Sequence, residues 1–137
     1  IVAPGAELPV GGKLLRVRDV MHVGEEMPLI SLDPPMSEVL IALASKRFGC
    51  IGVVDTDGRL AGMITDGDLR RHLDADLLSM PASSVMTRTP LTTTPDVLAA
   101  EVLAALNARE IIAMFVLDAG RPVGLVHIHD ILAAGVA

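Results

Sequence analysis

Gly62-Met63-Ile64-Thr65-Asp66-Gly67-Asp68-Leu69-Arg70-Arg71 has a counterpart further along the chain, Gly124-Leu125-Val126-His127-Ile128-His129-Asp130. Each stretch runs from a short apolar segment into a polar one, and Asp68 and Asp130 hold the same place in it. Working outward, Val20-Met21 returns as Val85-Met86, Pro28-Leu29 as Pro90-Leu91, and Glu38-Val39-Leu40 as Glu101-Val102-Leu103. The offsets are 65, 62 and 63, against 62 for the junction itself, and slips of this size are what loop insertions produce. Self-similarity at a fixed period means duplicated structural units, here about 17–77 and 82–136.

Both units read with one grammar. In the first, Leu29 to Leu32 is a short apolar run before Pro34-Pro35, after which Met36, Val39, Leu40 and Leu43 recur at helical spacing. Ile51 to Val54 predicts a strand, Asp57-Gly58 a hairpin turn, and Leu60 to Thr65 the returning strand. A second helix is expected from Asp66, with Leu69 and Leu73 on one face. In the second unit, Leu98, Val102 and Leu106 make the helix stripe, Ile111 to Leu117 a strand, Ala119-Gly120 the turn, Pro122 to His127 the return, and His129 opens the closing helix. The expected fold is therefore α/β (α+β), two β-α-β-β-α repeats related by a pseudo-twofold. One small sheet with helices on one face leaves its other surface unburied, so neither repeat is expected to be stable alone.

Composition narrows the function. Of 137 residues, 11 are Lys or Arg and 17 Asp or Glu, for a net charge of −6. That balance argues against nucleic-acid partners and anionic membranes, which require a basic surface, but leaves room for a small anion held by a few arginines. No apolar stretch reaches the roughly 18 residues of a membrane helix. With no Trp or Tyr and only Phe48 and Phe115, the core must be aliphatic. The single cysteine, Cys50, lies in an apolar run and reads as a buried thiol rather than a nucleophile. Residues 1–13, rich in Pro and Gly, read as a linker from a preceding domain, so the chain is expected to be part of a longer protein.

The junctions carry the chemistry. A strand ending at Thr65 and a helix starting within two residues present free N–H groups and a positive dipole end. Asp68 can accept from a vicinal diol such as that of ribose. Thr65 can donate to phosphate or hydroxyl, and Arg70 and Arg71 can pair with phosphate or carboxylate. The alternative is local: Thr-x-x-Asp at a helix start is close to a capping box, with Thr65 as cap and Asp68 reaching back. The second copy puts His127, a poorer cap, in place of the threonine, yet keeps the acid Asp130; a helix dipole would also favour an early Asp. On spacing alone both readings stay open.

Two units, each with Val-Met near the start and Gly-h-h-(Thr)-x-x-Asp near the end (h, hydrophobic), resemble CBS domains. The resemblance implies a paired module that often binds adenosyl or other nucleotide ligands, with the ribose-binding acids at Asp68 and Asp130 and the Thr/Ser at Thr65; His127 departs from that pattern. The longer segments Leu14-Leu15-Arg16-Val17-Arg18-Asp19-Val20-Met21-His22, Thr65 to Arg71, and His127 to Val136 are similar to the carboxy-terminal part of bacterial D-arabinose 5-phosphate isomerases, over residues 14–137. That similarity implies a cytoplasmic protein in which a sugar-isomerase (SIS) domain precedes the pair and carries the active site. It also implies a pathway leading to Kdo, activated as CMP-Kdo. The expected ligand is CMP-Kdo, or CMP, AMP or ATP, with no cofactor required. Asp68, Arg70 and Arg71 would serve one site, and His127, His129 and Asp130 the other.

The remaining candidates carry weaker signals. Met21 and Met86 are expected to fill the core or to line the ligand sites. Arg88, after the second Val-Met, faces either a ligand phosphate or solvent. His127 and His129 lack the further ligands zinc would need, so no metal is expected. His22 and His72 read as surface or boundary histidines. Asp66 and Asp68 as an acid–base pair are weak evidence for an enzyme, having no nucleophile or metal beside them. Besides a sensor, a structural dimerisation module is a standing alternative. The small residues Ala99, Ala100, Ala104 and Ala105 suggest an exposed helix face for a homodimer within a larger homo-oligomer.

Overall fold

A computed structural model describes residues 14–46, 48–73 and 76–136; the proposed linker, residues 1–13, lies outside them. The elements in chain order are α1 (Val17–Val20), β1 (Leu29–Ser31), α2 (Met36–Lys46), β2 (Cys50–Val54), β3 (Leu60–Thr65), α3 (Asp66–Arg71), α4 (Ala82–Val85), β4 (Thr92–Thr93), α5 (Ala99–Arg109), β5 (Ala113–Asp118), β6 (Arg121–His127) and α6 (Ile128–Ala133). Two three-stranded sheets result, ordered β1-β2-β3 and β4-β5-β6. In the first, β2 is central, parallel to β1 and antiparallel to β3. In the second, β4 runs parallel to β5.

A central strand is flanked by partners at both edges, and here Cys50, Ile51, Gly52 and Val53 are all buried, as are Ala113 to Val116 of β5. That is why both central strands read as continuous apolar runs rather than as alternation. Cys50 lies inside, where burial pushes its thiol up to about 12, so it remains protonated and unreactive at neutral pH.

The chain folds into two compact units that cut across its repeat order. Among the described residues, one unit contains those within 25–91 and 119–122, and the other contains 14–24, 92–118 and 123–136. In the first unit, α4, which opens the second sequence repeat, joins the core of the first sheet. Ala82, Val85 and Met86 cluster there with Met36, Val39, Ile51, Val53 and Ile64. In the second unit, α1 is tied to the approach to α5. The N–H of Val17 donates to the Val97 carbonyl at 2.8 Å, the N–H of Ala99 donates to Leu15 at 2.8 Å, and Arg18 pairs with Asp96.

Three sequence expectations are corrected. Helix α3 ends before Leu73, which is 67 % exposed; the His72 N–H caps the helix on the Leu69 carbonyl at 3.1 Å and the chain turns away. Strand β5 starts at Ala113, not Ile111. Glu110 ends α5 with φ 56°, and the N–H of Ile111 donates back to the Leu106 carbonyl at 3.0 Å, so it cannot enter the ladder. Ala99 does not belong to an exposed face, being fully buried at the first turn of α5.

Each lead segment crosses a sheet end by an antiparallel bridge, Met63 with Thr87 in one unit and Leu125 with His22 in the other. Backbone bonds run both ways, at 3.0 and 2.8 Å in the first bridge and 2.9 and 2.8 Å in the second. The glycine just before each bridged strand residue makes the approach possible. A Cβ on Gly62 would lie 2.6 Å from Met86 Sδ and 2.7 Å from the Thr87 carbonyl oxygen; one on Gly124 would run into the side chain of Met21. At Gly124 the obstruction is a flexible side chain, whereas at Gly62 it includes backbone. Gly62→Ala is therefore expected to destabilise the protein by about 1–3 kcal/mol in urea denaturation, and Gly124→Ala by less. Equal midpoints for the two variants would contradict this account.

Candidate functional site

Within the first unit, the end of β3, the start of α3 and the segment after α4 converge on Asp68. This carboxylate is 1 % exposed. The Thr65 N–H donates to its Oδ2 at 2.9 Å and the Thr65 hydroxyl to the same oxygen at 3.1 Å. The Thr87 hydroxyl donates to Oδ1 at 2.6 Å, and Arg71 Nη2 pairs with Oδ1. The capping reading thus holds for the Thr65 N–H, but capping is only part of the arrangement. Thr87 reaches in from a distant stretch of sequence, and the exposed Arg71 side chain folds back over the acid. A buried carboxylate is tolerated because hydrogen bonds and a cation compensate its lost hydration.

The other candidates of this unit sit apart from that cluster. Arg70 is exposed. Arg88 is also exposed, its Nη2 lying 3.5 Å from the Ser83 carbonyl on α4. Met86 is 8 % exposed and belongs to the core. Met21, in the other unit, packs over Gly124.

The second junction, within the other unit, keeps the geometry and changes the chemistry. His127 is 9 % exposed and does cap its helix, contrary to its rating as a poor cap: Nδ1 accepts from the His129 N–H at 3.2 Å. The His127 and His129 rings lie 4.7 Å apart, tilted by 57°. Asp130, its side chain 40 % exposed, meets His22 Nε2 at 2.7 Å. His22, expected as a surface or boundary histidine, has its side chain 27 % exposed, and its bridge to Leu125 brings it to the junction. His22 and Thr87 therefore hold equivalent places, each directly after the repeated Val-Met and each in contact with the acid of its junction. The repeat contained the signal that would have found both. Among the described residues no cluster of three or more His, Cys, Asp or Glu is arranged to hold a metal ion.

The cap makes His127 pH-sensitive. An Nδ1 that accepts an N–H cannot carry a proton. Burial lowers the imidazole below its ordinary 6.5, the charge of His129 and, more weakly, of His22 adding to this while Asp130 opposes it. As pH falls through the ordinary value, the unfolded chain takes up a proton that the folded one refuses, so this contribution to stability is full above pH 6.5 and lost below it. Urea midpoints should therefore fall between pH 7.5 and 5.5. His127→Asn, which can cap without titrating, should show a shallower fall. An unchanged slope in that variant would contradict the assignment.

Comparison with known proteins places these junctions in context. The family model described as CBS domain matches residues 17–75 and 82–137. Arabinose 5-phosphate isomerase KdsD of Yersinia pestis is 40 % identical over 97 % of the chain, which covers 41 % of that protein. The protein of the same name from Pseudomonas aeruginosa is 44 % identical over 90 % of the chain, covering 39 % of its length. The chain thus spans about two-fifths of these relatives. Among solved structures, a CBS-domain containing protein from Agrobacterium tumefaciens superposes with a TM-score of 0.77 at 21 % identity, covering 90 % of this chain and 95 % of that one. CBSX2 in complex with AMP gives 0.76 at 19 %, covering 88 % and 95 %. The CBS domain pair of MJ0100, in complex with 5′-methylthioadenosine and S-adenosyl-L-methionine, gives 0.74 at 24 %, covering 88 % and 94 %.

Proposed function

The chain belongs to the CBS domain family, and from that premise we propose that it is the ligand-sensing module of a longer sugar-phosphate isomerase, binding a nucleotide or nucleotide sugar. The observation that carries the reading is the pair of duplicated junctions. Each brings an acid, a donor side chain from the residue after Val-Met, and a helix start into one place. A nucleotide offers matching groups: a diol for the acid, and phosphate for Arg71 or for the imidazoles of His127 and His129. The AMP, methylthioadenosine and S-adenosylmethionine named with two structural neighbours all contain adenosine. Of the candidate ligands we favour CMP-Kdo, which combines a ribose diol, a phosphate and a sugar carboxylate, as a feedback signal acting on an SIS domain elsewhere in the parent chain; similarity to arabinose 5-phosphate isomerases supports this reading.

The test is calorimetry with CMP-Kdo, CMP, AMP and ATP. Binding that weakens on Asp68→Ala or Asp130→Ala would identify the working junction; no heat with any of the four would end the sensor reading. One observation favours a second reading. Asp68 already has internal partners at both oxygens, which suits a structural module that assembles a homodimer. Failure of every titration together with a dimer in light scattering at tens of micromolar would select it.

A further inference from the structure

Asp68 is saturated. A carboxylate has about four acceptor positions, and Thr65 N–H, Thr65 Oγ1, Thr87 Oγ1 and Arg71 Nη2 fill them. The two donors on Oδ2 are local to the helix start. The two on Oδ1 are Arg71, at the far end of the same helix with its side chain 61 % exposed, and Thr87, from a distant stretch of sequence, whose Oγ1 lies 3.4 Å from Arg71 Nη2. A diol therefore cannot simply add to this acid. We infer that Arg71 and Thr87 are internal competitors for Asp68, so that a ligand enters the first junction by exchange, and that Arg71 thereby selects ligands carrying an anion as well as a diol.

The selection follows from what each class of ligand leaves unpaired. A neutral nucleoside displaces Arg71 and leaves the guanidinium to water alone, in place of a charged partner. A bare phosphate can take the guanidinium but would leave a nearly inaccessible carboxylate short of a donor, the more expensive loss. A nucleoside monophosphate supplies both, two hydroxyls for the acid and an anion for the released cation. The nucleotide is thus preferred over its nucleoside by an ion pair already present in the protein. This rests on the nucleotide-binding reading and adds a residue that decides among ligands.

Calorimetry with AMP and adenosine, and with CMP and cytidine, on the wild type, Arg71→Met and Thr87→Val tests it. Arg71→Met keeps the exposed stem and removes the charge; Thr87→Val removes only the hydroxyl. Both should bind the nucleoside more tightly than the wild type. In Arg71→Met the preference for nucleotide over nucleoside should shrink by about tenfold, the scale of one charge-assisted bond. Wild-type binding with nucleoside affinity unchanged or weaker in both variants overturns the competitor role and leaves the sensor reading standing. Binding abolished by Asp130→Ala but indifferent to Asp68→Ala does the same. Silence from all three proteins with every ligand, CMP-Kdo included, overturns both.

Discussion

Asp68→Ala should destabilise the protein by about 2–4 kcal/mol, a large effect for one side chain at the first turn of a six-residue helix. Alanine leaves the Thr65 N–H, the Thr65 hydroxyl and the Thr87 hydroxyl without their acceptor; Thr65 is half-buried, whereas the exposed Thr87 can turn its hydroxyl to water. Losing a helix-start acceptor alone costs about 1 kcal/mol; the rest comes from the stranded donors. The effect stops short of the roughly 3–5 kcal/mol seen when one half of a buried ion pair is deleted, because the Arg71 side chain is mostly exposed and can rehydrate. Asp68→Asn keeps one carbonyl acceptor and should lose less. Asp130→Ala, at a half-exposed acid paired with His22, should lose under about 1 kcal/mol. Urea midpoints for the three variants check the order, and equal losses at Asp68 and Asp130 would contradict the asymmetry between the junctions.

Phe115→Ala should be the most damaging single truncation, at about 3–5 kcal/mol. Phe115 is fully buried on the central strand β5, opposite Thr92 of β4. Phe48 is only half-buried and the chain has no Trp or Tyr, so Phe115 has few large neighbours able to collapse into the void. Leu132→Ala, at a site 51 % exposed, should stay within about 0.5 kcal/mol of the wild type. Denaturation of both variants supplies the comparison; a small loss at Phe115 would mean that the second core repacks freely.

The strands, their order within each repeat, and the helices at the junctions were legible because they depend on neighbours in sequence: β-branched runs, Asp57-Gly58 and Ala119-Gly120 turns, and apolar stripes at helical spacing. The errors fell where a terminal group found a partner that no period encodes. The N–H of Ile111 turns back to Leu106, shortening a strand, and His72 closes α3 before Leu73 can join its face. At the site, Thr65, Asp68, His127 and Asp130 were recognisable from the repeated junction. Thr87 and His22 lie outside those junctions, 19 and 108 residues from the acids they meet, and only their matching place after Val-Met marks them in the sequence.

By itself, the sequence determined that there are two copies of one unit, where each strand gives way to a helix, and which acids stand at those points. All of these follow from spacing and local backbone preference. Only the tertiary structure decided what the acids do. It assigned the segment opening each repeat to the sheet of the other, and so brought a threonine to one carboxylate and a histidine to its counterpart, while Arg71 reaches Asp68 along their shared helix. Partner choice of that kind is set by which apolar surfaces can be buried together, Ala82, Val85 and Met86 against the first sheet, and burial is a property of the whole folded chain.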